Sequence, residues 1–239
     1  MDLIWQGFAD AFALIARGDP ELVQISGRSL VISLLATLLA SLVGIPVGIL
    51  LAVGRIPGSG LLNTVVNTGM GLPPVVVGLV VSILLWRSGP FGPLQLIYTP
   101  TAMVLAQFFV AVPIVAGFTR FAVRSIEREQ VDAFRIFGAA GLRLWSELVR
   151  AALPGVGLAI AAGFGRAIAE VGASLMVGGN LAGQTRVLTT AISLETSRGE
   201  FARAIALGIV LLGLAFLVNA AFSWATDHGA AGSVGGPGA

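Results

Sequence analysis

Between Arg28 and Arg55, between Arg55 and Arg87, and between Arg87 and Arg120 the chain carries no charged residue. Each of these runs, 29–54, 56–86 and 88–119, exceeds the roughly 20 apolar residues that a helix needs to cross a hydrocarbon core about 30 Å thick. Residues 204–226 form a further run between Arg203 and Asp227, and 151–178 is apolar apart from Arg166 and Glu170. The expectation is an all-α, polytopic membrane helical bundle with five transmembrane helices. A polar block separates the third from the fourth.

Composition agrees and excludes much else. The chain is 56% hydrophobic and 11% charged, with a mean hydropathy of +0.94. It has no cysteine, which removes disulfides and thiolate metal sites. Its one histidine, His228, lies in a glycine-rich tail, which leaves little room for histidine-based catalysis, and no metal or cofactor is expected. The isoelectric point near 10.4 arises because the basic residues are all arginine, while net charge is only +2, so no nucleic-acid partner is implied. Residues 1–28 carry Asp2 and Asp10 and lack a basic n-region. They are expected to form an extracytoplasmic amphipathic segment at the membrane surface rather than a cleavable signal. Residues 29–226 make up the transmembrane domain, and 227–239 are expected to be a disordered tail, too poor in apolar surface to offset chain entropy.

Glycine and proline recur inside the spans: Gly44, Pro46 and Gly48, then Gly71, Pro73, Pro74 and Gly78. Small residues allow close backbone approach in lipid. The stretch "GLPPVVVG" (71–78) can also be a kinked helix lining a pathway, with Pro73 and Pro74 at its bend. No period of 20–50 residues repeats, and five spans are not two equal halves, which argues against an internally duplicated secondary transporter. With the N-terminus outside, the inner segments hold Arg55, Arg120, Arg124, Arg128, Arg135, Arg143 and Arg150. The outer segments hold Arg17, Arg28, Arg87, Arg186, Arg198 and Arg203. The positive-inside rule favours that orientation by density.

At helical spacing the polar block divides into two faces. Arg128, Asp132, Arg135, Arg143, Glu147 and Arg150 fall on one side, and Phe134, Phe137, Gly141, Trp145, Leu148 and Ala152 on the other. "GAAG" (138–141) is expected to turn the chain between two short helices. By itself such an element serves equally as a basic helix held by lipid headgroups or as a docking surface in the cytoplasm.

"DAFRIFG" (132–138), followed by "ALPG" (152–155), resembles the EAA loop of ABC-importer permeases, in which Glu-Ala-Ala and a later Gly precede a Leu-Pro pair. By position Asp132 takes the Glu place, Ala133 and Phe134 the two Ala places, Gly138 the Gly place, and Leu153 and Pro154 the Leu-Pro places. "LPPVVVG" (72–78) is similar to the second-span signature of molybdate-type oxyanion permeases. "GFGRAIAEVGASLMVGGN" (163–180) and "TRVLTTAISLETSRGEFARAIALG" (185–208) resemble the tungstate branch in particular. The resemblance implies a type I permease fold with the N-terminus outside, and a coupling element within 120–150 that docks into an ATPase. It also implies a second copy of the chain, an extracytoplasmic oxyanion-binding protein, and a place in the cell membrane among its lipids. The chain has no GxxxxGK[ST] pattern and no lysine, so ATP hydrolysis is expected in a partner and no enzyme activity in this chain.

Arg166 and Glu170 are four residues apart and hence expected on one helical face. Each costs roughly 2.5–3.5 kcal/mol at the centre of a lone inserted helix. They form either a self-neutralising pair that fixes helix rotation or a path and gate, with Arg166 attracting a dianion and Glu170 holding the Arg166 side chain when the path is empty. A passage site must release as well as admit, so tight binding is expected elsewhere. The loop 178–200 is either flexible or an anion-attracting vestibule. The leading reading is thus the membrane subunit of an ATP-driven tungstate, or molybdate, importer. A self-contained secondary anion carrier is the alternative. An intramembrane enzyme lacks the converging catalytic groups it would need.

Overall fold

The structure is a computed structural model that describes residues 2–53 and 57–234; Arg55 lies outside the described residues. In chain order the helices are α1 (Asp2–Arg17), α2 (Pro20–Val53), α3 (Ser59–Met70), α4 (Pro74–Leu85), α5 (Pro100–Arg124), α6 (Arg128–Ile136) and α7 (Gly141–Ala151). They continue with α8 (Leu153–Ile168), α9 (Gly172–Gly178), α10 (Leu188–Ser197) and α11 (Phe201–Val234). No strand occurs among the described residues.

The centre of the fold is the pair α2 and α5, two long apolar helices whose contact is set by small residues. A Cβ at Gly48 would stand 2.6 Å from the Ala116 carbonyl oxygen and 3.0 Å from the Arg120 nitrogen, so only glycine lets the backbones meet here. Ala36, Ala40, Ala106, Ala111, Val115 and Ala116 fill the seam and are fully or almost fully buried. α8 closes this core from one side, with Ala159 against Ala40, Ala111 and Val115. Large apolar residues turn outward instead: Leu38, Leu42, Leu61, Val65, Leu79, Ile83, Leu212 and Phe216 are all exposed. A surface this apolar requires a lipid or protein neighbour.

Three described helices, α2, α5 and the Phe201–Trp224 part of α11, are long and apolar enough to cross a membrane singly. The number rises to five if each of two bent pairs is one span. The first pair is α3 and α4, which meet at 106° across Gly71–Pro73. Pro74 has no N–H to continue the ladder, so the run 56–86 breaks where its two prolines stand. The second pair is α7 and α8, bent by 80° at Ala152, just before Leu153 and Pro154.

Several boundaries differ from those read off charge. α2 begins at Pro20 and so contains Arg28, whose guanidinium donates to the carbonyls of Gly183 (2.6 Å) and Arg186 (2.8 Å). Those acceptors let a charge sit inside an apolar helix. The run 88–119 starts as a turn, including a 3-10 turn at Gly92–Leu94, and becomes helical only at Pro100. The expected span 151–178 is two helices, α8 and α9, separated by Ala169–Val171. α1 is helical and packs beside α11, Gly7 lying against Ile205. α11 continues through Val234, past the start of the tail expected from Asp227, its alanines 225, 230 and 231 suiting a helix. Residues 235–239 lie outside the described residues.

Candidate translocation path and coupling surface

The two breaks in the helices come together in space. Gly172 opens α9, and a Cβ there would stand 2.7 Å from Val75 Cγ2, in the first turn of α4, and 3.6 Å from Glu170 Oε1. One turn on, Gly78 presses against Ala173. Pro73, Pro74, Arg166 and Glu170, found separately in the sequence, thus belong to one neighbourhood. Non-helical backbone at membrane depth is tolerated where it is buried in protein or lines a cavity.

Arg166 and Glu170 do meet, but not on a continuous helix. α8 ends at Ile168, so Arg166 is in its last turn and Glu170 lies beyond it. Arg166 Nη1 is 3.5 Å from Glu170 Oε2. The other carboxylate oxygen accepts from the Ala173 N–H at 2.8 Å, satisfying one of the orphan donors at the start of α9. Spacing alone shows the pair and misses this capping role. The exposures are unequal: the Glu170 side chain is 2% exposed and that of Arg166 34%. The carboxylate is a fixed internal post, and the guanidinium is held at its edge.

A buried polar chain ties the same region to the core. Ser33 on α2 donates to Gln107 Oε1 (3.1 Å), and Gln107 Nε2 donates to Ser174 Oγ on α9 (3.3 Å). Thr189 donates to the Glu170 carbonyl at 2.9 Å, and the Leu188 N–H donates to Ser29 Oγ at 2.8 Å. The stretch 178–200 is therefore not a flexible loop throughout. α10 is a packed half-helix, with Leu188, Thr189, Thr190 and Ala191 buried. The apolar run "VLTTAISL" (187–194) was the available signal, masked by the glycines and arginines around it. The same end of the molecule carries ion pairs from Glu21 to Arg186 (3.3 Å) and Arg203 (3.0 Å).

The opposite end holds the polar block. α6 and α7 form a helical hairpin whose turn contains Gly138 at φ +82°, a left-handed conformation that glycine adopts without the Cβ penalty. Asp132 pairs with Arg135 (3.3 Å) and Glu147 with Arg150 (3.4 Å) on the outward side. Phe134, Leu144, Trp145 and Leu148 pack inward against Ile49, Val123 and Val156. Two residues assigned to the apolar side are exposed: Gly141, at the start of α7, and Phe137, which is 82% exposed because α6 ends at Ile136 and the helical periodicity stops with it. Ile136 (82%), its neighbour in sequence, and Leu142 (86%), in the first turn of α7, are exposed as well, so the hairpin tip is apolar and uncovered. Asp132 and Ala133 lie on α6, Gly138 is in the turn, and Leu153 and Pro154 start α8. A cleft lined by Val53, Val123, Arg124, Arg128, Asp132 and Arg135 opens between α6 and the ends of α2 and α5.

Comparison with known proteins bears on this arrangement. Residues 44–226 match the family described as binding-protein-dependent transport system inner membrane component. The tungstate uptake system permease protein TupB of Peptoclostridium acidaminophilum is 39% identical over 92% of this chain and 96% of its own. TupB of Campylobacter jejuni is 33% identical over 92% of each. The molybdenum transport system permease protein ModB of Escherichia coli is 28% identical over 80% of this chain and 91% of its own. Among solved structures, a chain of the methionine ABC transporter MetNI in an inward-facing conformation matches with a TM-score of 0.71. It covers 88% of this chain and 97% of that one at 20% identity, and so shows the fold. The chain therefore belongs to the family of inner membrane components of binding-protein-dependent transport systems, and is a membrane-embedded subunit of an ABC importer rather than an enzyme.

Proposed function

We propose that this chain forms the translocation path of an ATP-driven tungstate importer, with molybdate as the next candidate cargo. The observation that carries the reading is the 39% identity to a tungstate permease along nearly the whole of both chains. On this reading the N-terminus is outside and five spans cross the cell membrane. Two copies face each other across the path, an extracytoplasmic protein delivers the oxyanion, and two ATPase subunits dock below.

The uncovered apolar tip at Ile136, Phe137 and Leu142, flanked by Arg135 and Arg143, supports docking of the hairpin into an ATPase groove. Asp132, Ala133 and Phe134 shape that hairpin with Gly138 at its turn, and Leu153 and Pro154 link it to α8. When nucleotide closes the ATPases, the hairpin transmits their movement to the spans as a rigid-body tilt between inward- and outward-open states. Arg166, a third exposed beside a buried Glu170, supports a weak anion step on the path. Pro73 and Pro74 bend α3 against α4 at that level and serve as its gate. Selectivity between two tetrahedral dianions of similar size then rests with the delivering protein.

Deleting the chain from its host should lower cellular tungsten at limiting tungstate at least about tenfold, with a smaller fall in molybdenum. Elemental analysis of washed cells measures both. Unchanged tungsten and molybdenum would reject the cargo assignment.

A further inference from the structure

Arg120 is the charged residue whose surroundings the transport reading leaves unexplained. It lies one turn before the end of α5, under α2 and α3, and is 9% exposed. Its Nη1 donates to Asn63 Oδ1 at 2.6 Å and Asn67 Oδ1 at 3.4 Å, and its guanidinium carbon sits 5.1 Å from the centre of the Phe121 ring. No carboxylate among the described residues pairs with it, whereas Arg135, Arg150, Arg166, Arg186, Arg198 and Arg203 each have one. Its Nε is buried without an acceptor, and no described hydrogen bond uses Nη2.

Two amide oxygens solvate a guanidinium but do not neutralise it, and a buried charge left unpaired is costly. The unused Nε–Nη2 edge is the side of arginine that binds two oxygens of a carboxylate or phosphate at once. Asn63 and Asn67 stand one turn apart on α3, and the Nδ2 group of each has no described partner. The Nε–Nη2 fork offers two parallel N–H groups to the oxygens of a tetrahedral anion, the amide N–H₂ groups of Asn63 and Asn67 are further donors on the neighbouring helix, and no carboxylate among the described residues pairs with Arg120.

We propose that Arg120, Asn63 and Asn67 form an oxyanion site at the arginine-rich end of the bundle, separate from Arg166. Its ligand is a tetrahedral oxyanion, either the cargo leaving the path or the phosphate of a membrane lipid. The site rests on the anion-permease reading only for the identity of that cargo. A bound oxyanion would neutralise Arg120 and tighten α3 against α5, coupling occupancy to the half of the bent span that precedes Pro73.

The test uses the full chain in nanodiscs, with sodium tungstate as one probe and phosphatidylglycerol as the other. Tungstate retention is measured by equilibrium dialysis in phosphatidylcholine discs, and lipid retention by native mass spectrometry in mixed discs. Wild type should retain one or both probes, and which one identifies the source. Arg120→Gln should weaken retention at least tenfold. Asn67→Asp supplies an internal carboxylate, so it should keep the chain folded, raise its unfolding midpoint and abolish retention equally. Retention by both variants equal to wild type, or no retention by wild type of either probe, would overturn the site. ATP-driven uptake by wild type is measured in parallel. Uptake without a site at Arg120 overturns only this inference, and a site without uptake overturns the transport reading instead.

Discussion

Glu170→Ala should damage the protein more than removing both charges of its pair. Alanine leaves the Ala173 N–H without its acceptor, at about 1 kcal/mol for a lost cap. It also strands Arg166 beside an apolar helix end. Breaking a fully buried pair costs roughly 3–5 kcal/mol; Arg166 is 34% exposed, so the combined penalty should be nearer 2–4 kcal/mol. The double variant Arg166→Gln/Glu170→Gln strands no charge, and the glutamine at 170 can still accept from Ala173. Its membrane abundance should stay within about twofold of wild type, while Glu170→Ala falls several-fold by quantitative blotting. If Arg166 guides the anion, uptake by the double variant should drop at least about tenfold at that normal abundance. Wild-type uptake by an abundant double variant would leave the pair a purely structural one.

Phe137→Asp, alone or with Ile136→Asp, should uncouple transport without disturbing the bundle. Both side chains are 82% exposed in the free chain, so the folded subunit loses nothing when they become polar. Against a protein groove each contributes roughly 1.5–3 kcal/mol by burial. Losing two should weaken ATPase association by two orders of magnitude or more. Gly138→Trp reaches the same end differently. A Cβ at Gly138 meets nothing within 4 Å, so bulk is tolerated, but φ +82° is strained for any other residue by about 1–2 kcal/mol. The hairpin would re-aim its tip. Co-purification with the ATPase and ATP-dependent uptake check both variants, and normal values for the pair of aspartates would remove the hairpin from the coupling interface.

The elements that were legible in the sequence are those set by one-dimensional patterns. Uncharged runs gave α2, α5 and α11, paired prolines marked the α3–α4 break, and helical spacing with "GAAG" gave the α6–α7 hairpin. What the sequence hid depends on partners far along the chain. Arg28 reads as a boundary until the carbonyls of Gly183 and Arg186 are seen to accept it. Glu170 reads as a mid-helix charge because nothing in "RAIAEVGAS" announces that the helix stops at Ile168. α10 reads as a loop since its burial is supplied by Leu22, Ile25 and Leu207. Gln107 had no signal at all. A single glutamine in an apolar run becomes a joint only when Ser33 and Ser174 approach from two other helices. Of the candidate site, Pro73, Pro74, Arg166 and Glu170 stand out in the sequence as residues unusual in apolar runs, but capping, burial and the convergence of the two breaks do not.

The direct measurement is tungstate uptake into proteoliposomes holding this chain with its ATPase, the binding protein supplied on the opposite side from nucleotide. The account predicts accumulation only when ATP and the loaded binding protein are both present, no accumulation under an ion gradient or membrane potential alone, and loss of uptake in Phe137→Asp. Accumulation by the chain alone, driven by a gradient and indifferent to ATP, would contradict it and establish a self-contained carrier.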